Sequence, residues 1–261
     1  MVKFFIVNNI PINKKDQDRY NDLWKNEWHD LHKIGPSVRT RNRILIKFFR
    51  KYVHQGKILD AGCGDGSLLI ELHKIYQNDL DYEAGDISNN ALQILESFDF
   101  ISSHYLIDLE QKSTLPSQKY IAVISSEVLE HIKDWKKAVN NIASLVEQNG
   151  FVFITVPAQM KYWGQHDEFA LHYRRFEINE IEDYLRSQGF QVKESICWGW
   201  PFYWIYYSFF LNKTPPQLVM KEITSPIKKV ISKILFSLFF IDDFFSTKWG
   251  RRLFIVAQKS I

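Results

Sequence analysis

Only two cysteines, Cys63 and Cys197, occur among 261 residues. Two thiols cannot form the disulfide framework of a small secreted domain, so a reducing, cytoplasmic compartment is the expectation. Long apolar runs are also missing. No stretch approaches the roughly 18 residues that a membrane-spanning helix needs. The apolar part of MVKFFIVNNIPINKK is too short for a secretory leader and has no small-residue cleavage site. Charge of one sign is lacking too, since 33 basic and 30 acidic residues leave only +3. That balance argues against a nucleic-acid partner, as does the absence of a basic stretch interleaved with aromatics ahead of the fold. No set of His, Cys, Asp and Glu stands at ligand spacing, so no metal is expected. Internal repeats and low-complexity linkers are absent, which leaves one folded domain over residues 1–261.

Apolar residues make up 46% of the chain, enough to bury a sizeable core. Residues 16–54 read as a helical N-terminal cap. Short strands are then expected at 57–60, 82–86, 104–107, 121–125 and 151–156. Helices are expected between them at 67–76, at 89–98 behind a Ser88 cap, and from an Asp134 cap to about Gln148, closed by Asn149-Gly150. A helix at 177–188 follows, then a more edge-like strand at 190–196 and a last strand at 253–257. Alternation of this kind implies an α/β, Rossmann-like, doubly wound sheet. Its core spans 55–199, an insert or lid spans 200–248, and 249–261 holds the final strand.

Within KILDAGCGDGSLL, residues 57–69, a strand ends in Asp60 and is followed by Gly62, Gly64 and Gly66 and then a helix start. Glycine admits positive φ and close ligand approach, and a helix N-terminus presents unpaired N–H groups to that space. This is a nucleotide or nucleoside site. Asp86 ends the second strand 20 residues beyond Gly66, where a carboxylate can accept from both ribose hydroxyls. Asp108 follows the third strand, and Ser125, Ser126 and Glu127 follow the fourth. At this level the ligand could be a nicotinamide dinucleotide or S-adenosylmethionine, and the chain an oxidoreductase, a methyltransferase or a non-catalytic nucleoside-binding module.

DAGCGDG, AGDIS, SSEVLEHI and NGFVFITVP, in that order, make the chain resemble the class I S-adenosylmethionine-dependent methyltransferases over about residues 55–160. The resemblance implies a seven-stranded sheet whose last strand is antiparallel and S-adenosylmethionine as cofactor. It implies Asp60, Gly62, Cys63 and Gly64 along the methionine and adenosine, Asp86 with Ile87 at the ribose, and Asp108 with Leu109 at the adenine. Ser125 completes the set.

Two segments offer the chemistry. One is Glu127–His131, in which Glu130 and His131 are candidates for base or orienter. The other, residues 163–176, carries an HD…HYRR(F) element similar to that of a bacterial subgroup acting on small molecules and cell-envelope sugars or lipids. It has Leu171 where that subgroup has Gly. His166 is taken as the general base and Asp167 as its orienter, because an imidazole titrates near working pH. His172, Tyr173 and Arg174 are taken to bind the acceptor, and Arg39, Arg41 and Arg43 are candidates for the methionine carboxylate. The expected reaction is methyl transfer, to oxygen in preference to nitrogen, on a small-molecule, sugar or lipid-linked acceptor.

The insert is unusual. WGWPFYWIYYSFFL over 198–211 is mostly aromatic. In 227–241 apolar Ile227, Val230, Ile231, Ile234, Leu235 and Leu238 fall at helical spacing, with Lys228, Lys229 and Lys233 elsewhere. Such a segment is either a lid packed on the domain or a peripheral membrane contact through 200–241. Oligomeric state is left open.

Overall fold

A computed structural model describes residues 3–5, 14–26, 35–215, 226–245 and 248–260. Parts of the expected cap (27–34) and insert (216–225, 246–247) lie outside the described residues, as do the side chains of Ile227, Lys228 and Lys229.

The chain enters through a short strand β1 (Lys3–Phe5) and helices α1 (Lys14–Asn26) and α2 (Pro36–Tyr52). Alternation then sets in with β2 (Gly56–Ala61), α3 (Ser67–Tyr76), β3 (Leu80–Asp86), α4 (Asn89–Leu95), β4 (Ile101–Leu106) and β5 (Tyr120–Ser126). It continues with α5 (Trp135–Leu145), β6 (Val146–Pro157), α6 (Gln165–Phe169), α7 (Glu180–Ser187) and β7 (Phe190–Trp198). The insert carries α8 (Phe202–Phe209) and α9 (Pro226–Leu238) before β8 (Arg252–Lys259).

The strands form one sheet in the order β1-β4-β3-β2-β5-β6-β8-β7. The seven expected strands are all present, and β1 adds an eighth, parallel to β4 at the sheet edge. Three residues without a period-2 pattern of their own give too little signal to be read as a strand. β8 runs antiparallel to both β6 and β7. The late pair thus forms by β8 slotting inside β7, which leaves β7 at the edge and its middle half-buried.

Local chemistry sets the boundaries. Ser88 Oγ accepts from the Ala91 N–H, and an Asp134 carboxylate oxygen from the Lys137 N–H, capping α4 and α5. Both helices stop short of the expected ends. α5 closes at Leu145 because Val146 pairs with Tyr120 of β5, and Asn149 takes its left-handed turn (φ +63°) within β6.

One face of the sheet packs α2 and α3 through Phe49, Leu69, Leu72 and Phe153, and the other packs α5 and α7 through Val123, Ile142, Ile154 and Leu185. All eight are at most 1% exposed, so each contributes about 1.5–3 kcal/mol of burial free energy. The central strands are apolar on both faces and therefore read as continuous hydrophobic runs.

The insert is pinned from a distance. Asp242 accepts from the N–H groups of Phe202 and Tyr203 at 2.9 and 2.8 Å, capping α8 from forty residues downstream. Asp243 pairs with Arg43 of α2 and accepts from the Trp198 indole N–H. Among the described residues no helix is long and apolar enough to cross a membrane.

Candidate active site

A cavity of about 320 Å³ opens beyond the carboxyl ends of β2, β3 and β5, where ligands sit in open α/β sheets. Its floor is the turn after β2. Gly62 takes φ +94°, and a Cβ there would come within 2.3 Å of Val128 Cγ2, so only glycine fits. Gly66 takes φ +73° at the N-cap of α3. The N–H groups of Gly62 and Cys63 are spent on the Gly85 carbonyl at 2.7 and 3.1 Å. That of Gly64 is held by Asp86 at 2.9 Å.

Of the expected cofactor residues, Asp60, Gly62, Cys63, Gly64, Asp86, Ile87, Asp108 and Leu109 line this cavity. Ser125 does not. It is fully buried in β5 opposite Ile154, and the next two residues, Ser126 and Glu127, reach the cavity instead. Asp86 binds the Gly64 and Ser88 N–H groups, while burial pushes its carboxyl above the usual carboxylate value. Burial lifts Asp60 to about 7, with Arg41 opposing the rise and Asp86 adding to it. Asp108 accepts from the Glu110 N–H at 2.9 Å, which fixes the loop after β4.

The three arginines of α2 part company. Arg41 faces the cavity, buried, with its Nε lacking a partner among the described residues. Arg39 and Arg43 turn the other way and lie over the rings of Phe236 and Phe240 in the insert, at 4.3 and 3.8 Å. A helix of 3.6 residues per turn cannot aim positions two apart at one ligand.

The wall after β5 is the most charged part of the site. Glu127 sits at φ +57° and is held by Arg252 (2.9 Å) and by the Thr155 hydroxyl (3.1 Å). Burial works against its charge, but Arg252 and Arg41 outweigh burial and keep it ionised. For Glu130 the same two arginines do not offset burial. This residue is fully buried, neither carboxyl oxygen has a hydrogen-bond partner among the described residues, and burial beside Glu127 pushes its pKa well up. His131 lies with its ring 4.6 Å from His172 and 5.7 Å from Tyr20 of α1. Burial, then His172 and Arg19, hold its pKa well below the ordinary value, so the ring is neutral.

Residues 163–176 do not arrange themselves as the sequence suggests. His166 is not among the cavity residues. Its Nε2 meets the Leu211 carbonyl at 2.7 Å, bracing α6 against the insert. Asp167 is an orienter, but of other groups: its carboxylate takes His172 Nδ1 at 2.9 Å, Arg175 Nε at 2.9 and 3.0 Å, and the Gly164 N–H at 2.9 Å. His172 lines the cavity; Tyr173 and Arg174 do not. Tyr173 is 46% exposed, and Arg174 donates to the Lys133 carbonyl. Leu171 occupies φ +67°, the left-handed region, so the turn keeps its geometry without the glycine.

Sequence reasoning missed Asp16 and Tyr20 of α1 and Arg252 of β8, all of which line the cavity. Helix α1 is fastened there by Asn21, which accepts from the Ser88 hydroxyl at 2.9 Å and from Asn90 Nδ2 at 2.7 Å. The expected absence of a ligand cluster also needs amending. Glu130, His131 and His172 bring one potential ligand atom each within 4.8 Å of one another. Forty-one residues separate the two histidines in the chain, so linear spacing could not reveal the group.

Sequence and fold comparisons agree with this geometry. The family model of the methyltransferase domain matches residues 28–195, well over half of the chain. A ubiquinone biosynthesis O-methyltransferase of Coxiella burnetii is 24% identical over 150 residues, covering 55% of this chain and 62% of that relative. One of the same description from Hydrogenovibrio crunogenus is 28% identical over 144 residues, covering 53% and 58%. The chain thus spans less than two thirds of the length of these relatives. In fold it is similar to magnesium protoporphyrin IX methyltransferase from Synechocystis with bound SAH (TM-score 0.59, 16% identity, covering 95% and 100%). It is equally similar to the [4+2]-cyclase SpnF (TM-score 0.62, 13% identity, covering 96% and 97%), so the fold alone does not dictate the reaction. With the glycine turn, Asp86 and the β6–β8–β7 arrangement in place, and the domain model running through them, the chain belongs to the methyltransferase-domain family.

Proposed function

We propose that this protein transfers a methyl group from S-adenosylmethionine to oxygen of a small-molecule or lipid-linked acceptor, with His172 as general base. One observation carries the choice of base. His172 lines the cavity that holds the glycine turn, and its Nδ1 lies 2.9 Å from the Asp167 carboxylate. An ionised carboxylate only accepts, so Nδ1 carries the proton and Nε2 keeps the lone pair that takes one from a hydroxyl. The relatives named for O-methylation support oxygen as the accepting atom.

The residues fit the cofactor. Asp86 would accept from the ribose hydroxyls, and Asp108 with Leu109 would meet the adenine. Asp60 and Arg41, whose Nε has no hydrogen-bond partner among the described residues, offer opposite charges for the zwitterionic end. S-adenosylmethionine, when bound, supplies an electrophilic methyl on a sulfonium centre. Glu130, kept protonated, donates a hydrogen bond to the acceptor rather than repelling it, and neutral His131 packs against the base. We read 16–54, which brings Asp16, Tyr20, Val38 and Arg41 to the cavity, as the cap of this site, and 200–248 as a lid whose described residues brace α2 without lining the cavity, within one domain. The insert is braced on α2, the helix that brings Val38 and Arg41 to the cavity.

In a tritiated-methyl transfer assay with a catechol probe, His172→Gln is expected to lower kcat by about 10²–10⁴-fold with cofactor affinity unchanged. His166→Ala should keep both. Unchanged kcat in His172→Gln would overturn the choice of base. Absence of methyl transfer to any hydroxylated probe by a protein that binds S-adenosylmethionine would overturn the reaction.

Asp60 adds a pH dependence. It is half-protonated near pH 7 in the free protein, and a bound ammonium group favours the ionised form, so binding below that pH releases a proton. Affinity for S-adenosylmethionine should weaken on the order of 10-fold or more between about pH 7.5 and about pH 5.5. Calorimetry in two buffers of different ionisation enthalpy reads the proton directly, and Asp60→Asn should flatten the profile. A flat profile in the unmodified protein would remove Asp60 from the ligand's cationic end.

A further inference from the structure

Fifteen large apolar side chains stand exposed among the described residues, and twelve of them lie between positions 205 and 249. Phe209, Phe210, Phe240 and Phe244 are 55%, 63%, 42% and 85% exposed. Monomeric proteins seldom concentrate that much apolar surface without a use for it. Within this surface rings pair locally: Phe210 meets Tyr206, Phe240 meets Phe236, and Phe245 and Trp249 both meet Trp200.

Helix α9 is apolar on both sides. Leu235 and Phe239 turn inward, while Val230, Ile231, Ile234 and Leu238 line the outer face. Packing on the domain therefore uses only part of the stripe that periodicity marks in the sequence.

Charge identifies what covers the outer face. The insert's two described acids are taken inward, Asp242 to cap α8 and Asp243 to pair with Arg43. The exposed charges left among its described side chains are Lys213, Lys233 and Lys248. Two of these stand by aromatic rings, Lys213 Nζ at 5.7 Å from Phe209 and Lys248 Nζ at 5.9 Å from Trp249. Aromatic and aliphatic side chains flanked by lysines, with no exposed carboxylate among the insert's described residues, match the boundary between acyl chains and anionic headgroups.

We propose that the insert docks this protein on the surface of an anionic bilayer. Phe209, Phe210 and Phe244 enter the acyl boundary, and Lys213, Lys233 and Lys248 stay at the headgroups. Since no described helix can span, the element lies in the interface plane. The inference rests on the exposed surface and stands or falls independently of the methyl-transfer reading.

Co-sedimentation of the full chain with phosphatidylcholine vesicles, with and without phosphatidylglycerol, tests it. The protein is expected to pellet with the anionic vesicles and to be released by high salt. Phe209→Ser/Phe210→Ser/Phe244→Ser should lose partitioning on the order of 100-fold, and so should Lys213→Glu/Lys233→Glu/Lys248→Glu. All six positions are solvent-facing, so thermal denaturation and S-adenosylmethionine binding should be unchanged, which separates lost docking from lost folding. No sedimentation with anionic vesicles, or equal sedimentation with neutral ones, would overturn the proposal. So would a stable dimer in light scattering that the three serine substitutions dissolve.

Discussion

Asp167→Ala is expected to destabilise the protein by about 3–5 kcal/mol, the cost of leaving a buried charge without its partner. Asp167 and Arg175 have side chains only 1% and 4% exposed, and the guanidinium Nε binds both carboxylate oxygens. The same carboxylate holds His172 and the Gly164 N–H, so its loss frees three donors along the loop from Gly164 to Arg175. In a domain of this size the change corresponds to a melting temperature lower by on the order of 10 °C. Acid should mimic it. Burial alone would raise the Asp167 pKa, but the bonds from His172 and Arg175 outweigh burial and hold it below the ordinary 3.8. Because folding lowers this pKa, the stabilisation is complete above the ordinary value and is lost as pH falls through the lower, folded one. Chemical denaturation of both proteins across that acid range checks both points. The gap between them should close at low pH, and a gap under about 1 kcal/mol at neutral pH would show that Arg175 finds another partner.

The two halves of the site differ in how far the sequence reveals them. The cofactor half is built from consecutive residues at strand ends: Asp60 to Gly66, Asp86 with Ile87, Asp108 with Leu109. Each lies where a β-strand hands over to a loop, and alternation fixes those points well, so eight of the nine expected cofactor residues, Ser125 being the ninth, line the cavity. Ser125 fails by one position, because β5 runs through Ser126 and the strand end rather than the motif decides what is exposed. The proposed acceptor half depends on contacts that linear spacing does not encode. His166 and His172 look equivalent in the chain, and only the five-residue helix α6 turns one toward Leu211 and the other toward Asp167. Arg252 arrives from the antiparallel strand β8, some 125 residues from its partner Glu127. The insert was legible as amphipathic, yet periodicity cannot say which face meets the domain. Arg39 and Arg43 lie over Phe236 and Phe240, which leaves the aliphatic row of Val230, Ile231, Ile234 and Leu238 bare.

Asp86→Ala should raise the dissociation constant for S-adenosylmethionine at least on the order of 100-fold. Two effects add. The proposed bonds from the ribose hydroxyls are charge-assisted and contribute about 1.5–3 kcal/mol each. The same carboxylate also fixes the turn that the ligand must fit, through the Gly64 N–H on one oxygen and the Ser88 N–H on the other. Removing it leaves both donors without their acceptor, in a turn where Gly64 already stands at φ +54°. Asp86→Asn separates the two contributions. An amide retains one acceptor oxygen, so it can serve the ribose or the turn but not both in full, and affinity should fall between those of the native protein and the alanine variant. Calorimetric titration of the three proteins reads the ladder. Native-like affinity in Asp86→Asn would mean that the carboxylate's charge is not used by the ligand and that Asp86 serves the turn alone.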